Sequence, residues 1–354
     1  MRIFILSSYV NAHCLQVERL PLPGESLRSG VMWSEHGGKG LNVALGAHRL
    51  DAQVDMLLPL GDDPIAESVL QFLHDEGLDS RWALKIGEQS GFGVGFVAPN
   101  GDNFLAVYPG ANGLLTVEHV EQTMAALPLL DLVYGQFEIP ELPILVAFRL
   151  ARRQGIHTML NPSPWRLPDP ELLELTDILV INETEAALLF GQEDSGNLQL
   201  EQCLRQLPAW AKQSCWQGEL LVVTLGEQGC VAFTPEAIIH QPAWPVTAID
   251  GTGAGDAFSA GLAAALMQRL DLAETLKFAC ACGAWVAAKQ GVLQNLPTLT
   301  EMSEFMQTNT ISYHRLPLLI WRHLQVDAIG ISIAPEGAFD IFDNLSIVSV
   351  SFTF

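Results

Sequence analysis

Residues 248–266 read AIDGTGAGDAFSAGLAAAL. Gly251, Gly253 and Gly255 alternate up to Asp256, and a helical pattern follows at once, with Phe258, Leu262, Ala265 and Leu266 on one face. A helix start carries unpaired N–H groups and partial positive charge, and glycines ahead of it let the backbone close around phosphate oxygens. A carboxylate in that setting has two readings. Asp256 caps the helix, a contribution of about 1 kcal/mol. Or it takes a proton from a group about to meet a phosphate, a contribution of about 10²–10⁴-fold in rate. A second apolar helix, LAETLKFACACGAWVAAKQ (272–290), is expected to flank the loop.

Upstream, short apolar runs alternate with helical patterns. Strands are expected at RIFILSS (2–8), VDMLLPL (54–60), DLVYGQ (131–136), HTMLN (157–161), DILVIN (177–182) and ELLVVTLG (219–226), with amphipathic helices at 64–76, 141–154 and 198–213. Strands spaced by helices predict a mostly parallel sheet covered on both faces, with ligands beyond the strands' C-terminal ends. Asn161, Asn182, Thr224 and Gly226 fall at those ends. Residues 11–36 and 91–108 break the rhythm and read as antiparallel strand material. PNGD (99–102) reads as a hairpin turn, and a small β-flap of this kind can close over a site. Residues 307–354 fit no element of this scheme. NLSIVSVSFTF (344–354) alternates like a strand, and an extra strand, an oligomer contact and a poorly ordered end are all open.

Composition narrows the function. The chain has 354 residues, 49% of them hydrophobic, which supports one large α/β domain or two smaller ones and argues against disorder. A net charge of −22 with only 18 Lys and Arg leaves no basic stripe for nucleic acid. The acidity does not bar a phosphate ligand from one local anion pocket. The six cysteines form no CxxC pair and the nine histidines no HExxH, so a zinc site is not expected and the thiols read as buried and reduced. The first residues, MRIFILSSYV, hold too short an apolar core for a signal sequence. No run of 18 apolar residues occurs, so the expectation is a soluble cytoplasmic protein without a membrane partner.

The glycine loop matches neither a Walker A loop nor a Rossmann fingerprint. A second glycine-rich helix start lies near the N-terminus: EHGGKGLNVALGAHRL (35–50) places Gly37, Gly38 and Gly40 around Lys39, with Asn42 entering a helix. GGKGLNVA early and DGTGAGD about 210 residues later resemble the paired signatures of the ribokinase-like (PfkB) carbohydrate kinases, closest in pattern to the ribokinase subgroup. LPLPGESL (20–27), GDD (61–63), YPGAN (108–112), NPSP (161–164), NETEA (182–186) and TLGEQG (224–229) follow in the family's order, so the resemblance covers about residues 1–300.

The resemblance implies a three-layer α/β/α sandwich with a mostly parallel central sheet and a small β-sheet lid. The kinase domain would span 1–306, with lid segments at about 11–36 and 91–110, followed by a tail at 307–354. It implies transfer of the γ-phosphate of ATP to a hydroxymethyl group of a pentose or hexose. Asp256 would be the catalytic base, and Gly253, Ala254 and Gly255 the anion hole. Asn11, His13, Gly38, Lys39, Asn42 and Glu138 match sugar-contact positions. Asn182, Thr224, Gly226, Gly229, Gly255 and Cys280 match nucleotide positions. Glu185 matches a position that organises Mg²⁺ through water. Asp250, Thr252, Val286, Lys289, Gly291 and Asn295 match a monovalent-cation site, K⁺ in the ribokinase subgroup. A homodimer through the lid is implied too.

Two departures stand out. His13 occupies a position where the family has an aspartate that grips two sugar hydroxyls; neutral histidine accepts one hydrogen bond and donates one, so the preferred sugar or its affinity is expected to differ. Gly251 replaces the usual threonine of the late motif. A nucleoside or phosphosugar kinase is the alternative within the family. Scarce basic residues weigh against a phosphosugar. A non-catalytic sugar- or nucleotide-binding protein on the same fold is the alternative outside it.

Overall fold

The computed structural model describes residues 2–22, 24–97, 103–192, 198–313 and 319–322. The chain enters a central sheet through β1 (Arg2–Leu6) and leaves it for a second sheet through β2 (Val10–Gln16) and β3 (Val31–Gly37). It returns through α1 (Lys39–Arg49), β4 (Gln53–Leu60), α2 (Pro64–Asp75) and β5 (Ala83–Lys85). The hairpin strands β6 (Phe92–Val97) and β7 (Asn103–Tyr108) complete the second sheet. A βα series follows: α3 (Val117–Ala126), β8 (Leu132–Gln136), α4 (Glu141–Gln154), β9 (His157–Asn161), α5 (Pro170–Glu174), β10 (Ile178–Asn182), α6 (Glu183–Leu189), α7 (Leu200–Gln213) and β11 (Leu220–Thr224). The C-terminal part adds β12 (Cys230–Phe233), β13 (Ala237–Gln241), α8 (Ala254–Met267), α9 (Leu272–Ala287), α10 (Leu299–Tyr313) and β14 (Leu319–Arg322).

The central sheet has ten strands in the order β14-β13-β12-β11-β10-β9-β8-β1-β4-β5. It is parallel from β5 to β11, and β12, β13 and β14 add an antiparallel edge. Strand alternation explains the three layers. Ile3, Ile5, Ile178, Val180, Leu220 and Val222 face one core with α1, α8 and α9. Their neighbours Phe4, Leu6, Leu179, Ile181, Leu221 and Val223 face the other core with α4 and α7. The expected α/β/α sandwich is therefore observed, and Asn161, Asn182 and Thr224 end β9, β10 and β11 as the pattern predicts.

The second sheet has four strands, in the order β3-β2-β6-β7. It differs from the antiparallel expectation at one seam, because β2 and β6 pair in parallel. The chain must cross back to the central sheet between them, through β4 and β5, so the two strands enter from the same end. The PNGD turn itself lies outside the described residues, and β6 and β7 flank it as an antiparallel pair. Of the C-terminal stretch, α10 runs to Tyr313 and β14 pairs antiparallel with β13; the alternating segment 344–354 lies outside the described residues.

The expectation of buried thiols holds for Cys203, Cys230, Cys280 and Cys282, whereas Cys14 is half-buried and Cys215 exposed. Cys215 follows the end of α7, where the chain turns back before β11 and solvent reaches the side chain. Among the described residues, no helix is long and apolar enough to cross a membrane, and no group of three or more His, Cys, Asp or Glu side chains could hold a metal ion.

Candidate active site

Asp256 sits in the first turn of α8, whose N-cap is Gly253 with φ 75°. Glycine adopts that left-handed conformation without steric cost. The carboxylate is nearly buried, at 5% exposure. Asn42 Nδ2 donates to Asp256 Oδ2 at 2.6 Å, and Lys39 Nζ lies 3.7 Å from Asp256 Oδ1. Both partners come from α1. The two helices approach closely because small residues face each other one turn further along: a Cβ added at Gly46 would stand 2.8 Å from the Ala260 Cβ. Asn42 and Gly46 share one face of α1, Asp256 and Ala260 one face of α8. The near contact of the backbones thus delivers the amide to the carboxylate.

The start of α1 is pressed against the end of β1. A Cβ at Gly38, whose φ is 112°, would meet Ser8 O at 2.5 Å. Ser8 Oγ accepts from Gly40 N at 3.1 Å and donates to Glu138 Oε2 at 2.6 Å; Lys39 N donates to the same oxygen at 2.8 Å. Glu138 stands just past β8 on a loop clamped by Arg166, whose guanidinium donates to the carbonyls of Phe137 and Ile139 at 2.8 and 2.7 Å. The guanidinium also lies 4.0 Å from the Phe137 ring centroid.

Charge is concentrated here. Asp256, against the penalty of burial, holds the Lys39 ammonium above its ordinary range, with help from Glu138 and Glu185. Burial raises the Glu138 carboxyl, opposed by the Ser8 hydroxyl and Lys39. Burial also raises Glu185, opposed by the Asn182 N–H and Ser163. Three carboxyl groups, Asp256, Glu138 and Glu185, thus act on one lysine. Beneath them, Asn42 Oδ1, Tyr134 OH and Ser259 Oγ are buried without a hydrogen-bond partner of good geometry, and burial, reinforced by Asp256, pushes the Tyr134 phenol far up.

Of the glycines expected to form an anion hole, Gly255 is exposed, and a Cβ there would meet no atom within 4 Å, so the mouth of the helix is open. The Ala254 N–H is engaged with Gly251 O at 3.2 Å. Asn182 and Thr224 are register partners at the ends of β10 and β11. Asn182 and Glu185 form a capping box at the start of α6, each side chain accepting from the other's backbone N–H at 2.8 and 3.0 Å. Gly226 and Gly229 both have positive φ, 53° and 86°, in the turn to β12. Cys280, on α9, is buried with its Sγ 3.7 Å from Cys230 Sγ, directly after that turn.

Asp250 and Thr252 meet the end of α9. Ile249 N and Asp250 N both donate to Ala287 O, and Asp250 Oδ1 accepts from Thr252 N at 2.9 Å. Asn295 Nδ2 donates to the carbonyls of Gln290 and Gly291 at 2.6 and 3.0 Å, and Lys289 N donates to Val286 O. The Lys289 ammonium lies over the Trp285 ring, 3.3 Å from its centroid.

Asn11 and His13 lie on β2, in the small sheet. Asn11 Nδ2 lies 3.0 Å from His13 Nε2, and Ser34 Oγ lies 2.7 Å from His13 Nδ1. Both ring nitrogens are therefore engaged inside the sheet, and no hydrogen bond joins this pair to Asp256 or Lys39 among the described residues. Beside it opens a cavity of about 470 Å³ whose lining includes Asn11, Ser34, Glu35, His36, Phe72 and Leu293.

Sequence reasoning missed Ser8, Arg166 and the Gly46–Ala260 contact. Ser8 had a usable signal, since it lies two residues past the apolar run of β1, at a strand's C-terminal end. Arg166 had none.

The family model for "pfkB family carbohydrate kinase" matches residues 3–299. A ribokinase of Staphylococcus aureus is 32% identical over 307 residues, 86% of this chain and 99% of that protein. A deoxyribokinase of Salmonella typhi is 28% identical over 311 residues, 87% of this chain and all of that protein. The structure of an Arabidopsis thaliana ribokinase complexed with ribose and ATP superposes with a TM-score of 0.75 at 24% identity, over 86% of this chain and 98% of that one.

Proposed function

The chain belongs to the pfkB family of carbohydrate kinases, and on that premise we propose that it is an ATP-dependent pentose kinase that phosphorylates the hydroxymethyl group of a ribose-like sugar. The observation that carries this reading is the Asp256 carboxylate, buried in the first turn of α8 and held by Asn42 and Lys39 beside an open glycine mouth. The relatives in Staphylococcus aureus and Salmonella typhi, a ribokinase and a deoxyribokinase, support a pentose as acceptor.

In this reading Asp256 accepts the proton of the sugar hydroxyl as that oxygen attacks the γ-phosphorus. The new O–P bond forms, the bond to the bridging oxygen breaks, and ADP departs with that electron pair. The N–H groups of Gly253 and Gly255 face the charge on the transferring phosphoryl group, and dipoles fixed in advance stabilise it without reorganising. Asn42 orients Asp256, and its unpartnered Oδ1 is an acceptor for a sugar hydroxyl. Lys39 and Glu138 hold further hydroxyls, with Gly38 shaping the turn. The ends of β10 and β11, with Gly226, Gly229 and Cys280, would take the nucleotide. Glu185 would hold Mg²⁺ through water, and the ion would neutralise phosphate charge when bound. The loop of Asp250, Thr252 and the backbone oxygens of Val286, Lys289 and Gly291 would hold K⁺. Asn295 would fix the shape of that loop.

A second acceptor class has its own observation. The cavity beside Asn11 offers apolar and polar walls to a substituent on the sugar, as a nucleoside carries. An ADP-release assay over ribose, 2-deoxyribose, hexoses and nucleosides, with K⁺ or Na⁺ as the salt, tests the whole reading. Ribose-like turnover that falls ~10²–10⁴-fold in Asp256→Asn is the expected result. Turnover untouched by that change removes the mechanism, and equal rates in both salts remove the K⁺ site.

A further inference from the structure

Glu35 lies on β3 of the small sheet, yet its carboxylate reaches across to the central domain. Glu35 Oε2 accepts from Val292 N at 3.4 Å, in the turn that follows α9. A Cβ added at Gly291, whose φ is 83°, would stand 2.9 Å from the same oxygen, so the turn presents bare backbone to the carboxylate. The Val292 side chain continues inward. It packs on Gly253 so closely that a Cβ there would overlap both Val292 methyl groups. Gly253 is the left-handed N-cap of α8, and Asp256 stands three residues further on. One continuous path therefore runs from the small sheet to the phosphoryl-binding loop: Glu35, the Val292 N–H, the Val292 side chain, Gly253.

The groups facing Glu35 are acidic or neutral. Asp250 and Cys14 are its titratable neighbours, and His36 lines the same cavity. A half-buried carboxylate beside another acid costs free energy in the folded protein unless a contact it makes offsets the cost. Its contact is the 291–292 turn. The sheet that carries Glu35 also carries Asn11 and His13, on β2, to which β3 is paired throughout.

We propose that Glu35 is a positioning residue for phosphoryl transfer, fixing the phosphoryl-binding loop through Val292 according to the pose of the small sheet. The proposal rests on the carbohydrate-kinase reading above. It explains how a sugar gripped by the sheet would influence a loop that the sheet does not otherwise touch through Asp256 or Lys39.

The test is a double-mutant cycle on the full chain, with ribose and MgATP. Glu35→Ala and Val292→Ala are each expected to lower kcat by roughly tenfold, because a small misplacement of the loop is enough to do so. The KM for ATP should stay near its wild-type value. The double variant should lose no more than the worse single one, because both act along one path. Glu35→Gln keeps a carbonyl acceptor for the Val292 N–H and should restore most of kcat. Additive losses, or a Glu35→Gln as slow as Glu35→Ala, would overturn the proposal. Amide hydrogen exchange on the ligand-free protein gives a readout independent of turnover. Exchange across 250–257 should quicken in Glu35→Ala relative to wild type, and unchanged exchange there would also overturn it. A wild-type protein with no turnover on any sugar would instead defeat the kinase reading, leaving the exchange experiment to decide the role of Glu35.

Discussion

The α1–α8 pair and the four-stranded sheet carry the two groups of proposed site residues, and they are built on opposite principles. The helices meet backbone to backbone. Gly46 faces Ala260 at a distance no side chain could enter, and every residue of α8 from Asp256 to Met267 is buried. The sheet meets the rest of the molecule at a few places near the ends of its strands, through polar contacts and through the His36 ring, which packs on Phe72 of α2 with centroids 5.6 Å apart. Asn112 pairs with both the N–H and the carbonyl of Tyr9, at 2.9 and 2.7 Å, and Asp63 accepts from Ser90 N at 2.7 Å. Glu35 touches one turn. Large apolar side chains stay uncovered on the sheet, with Met32 64% and Leu105 60% exposed. In the proposed mechanism Asp256, as base, needs its partners held within fractions of an ångström, and close packing provides that. A sheet tied by a few contacts can shift as a body, which suits the role proposed for it in admitting and releasing a sugar.

The strongest way to break this contrast is to pry the helices apart. Gly46→Val places two methyl groups where a single Cβ already crowds Ala260. Stability should fall by about 1–3 kcal/mol from overpacking. The value of kcat should fall by roughly 10²-fold, since Asn42 leaves Asp256. Thermal melts and steady-state kinetics on one preparation read both. A variant that melts early yet keeps its kcat would mean that the close approach does not set the geometry of the base.

The exposed face of the sheet yields the next effect. We propose that Val31, Leu105 and Val107, which the strand registers place on one face of the sheet, cover one another across a homodimer, in line with the lid contact that the family resemblance implies. These residues are about half exposed or more, and patches of this kind mark interaction sites on soluble proteins. Sedimentation velocity should give a dimer for the wild type and a monomer for Leu105→Glu, with the KM for the sugar raised more than kcat is lowered. A wild type that sediments as a monomer at every concentration would leave that face without a partner.

The same contrast explains what could be read from the sequence. Asp256, Asn42, Lys39 and Gly253 lie on two helix starts, where glycine spacing and the following apolar period announce the geometry locally. The parallel strands β1, β4 and β8 to β11 were legible because burial on both faces makes them continuous apolar runs. What stayed hidden depends on contacts between distant segments. Arg166 acts on Glu138 through two carbonyls 27 and 29 residues away, and nothing in WRLPDP distinguishes it from a surface arginine. Glu35 looks like the solvated prelude to the GGKG turn. The parallel seam between β2 and β6 is set by the path of the chain through β4 and β5. The edge strands β12 and β13 are short, at Cys230–Phe233 and Ala237–Gln241, and no expected element covers them.

The smallest effect concerns Glu138, which stands beside the helix pair: its Oε2 ties Ser8, in the link from β1 to β2, to the start of α1. Burial raises its pKa in the folded protein, so the folded state keeps this proton to higher pH than the unfolded chain does. Stability from this group therefore declines as pH rises from the unfolded carboxyl range, about 4.3, through the higher folded value, and stays lower beyond it. Glu138→Gln removes the titration and keeps an acceptor for Ser8 and Lys39. Above the folded pKa the variant should be more stable than wild type, by about 1 kcal/mol or less because the group is half-buried and partly screened. That corresponds to a rise in Tm of roughly 2 °C for a chain of this size. The two proteins should converge as the pH is lowered towards 4. The sugar KM should rise in the variant, because an amide accepts fewer hydroxyl protons than a carboxylate does. A Glu138→Gln protein that melts below wild type at neutral pH would show that the charge is held by Lys39 at a net gain, which would make this junction as fully compensated as the helix pair beside it.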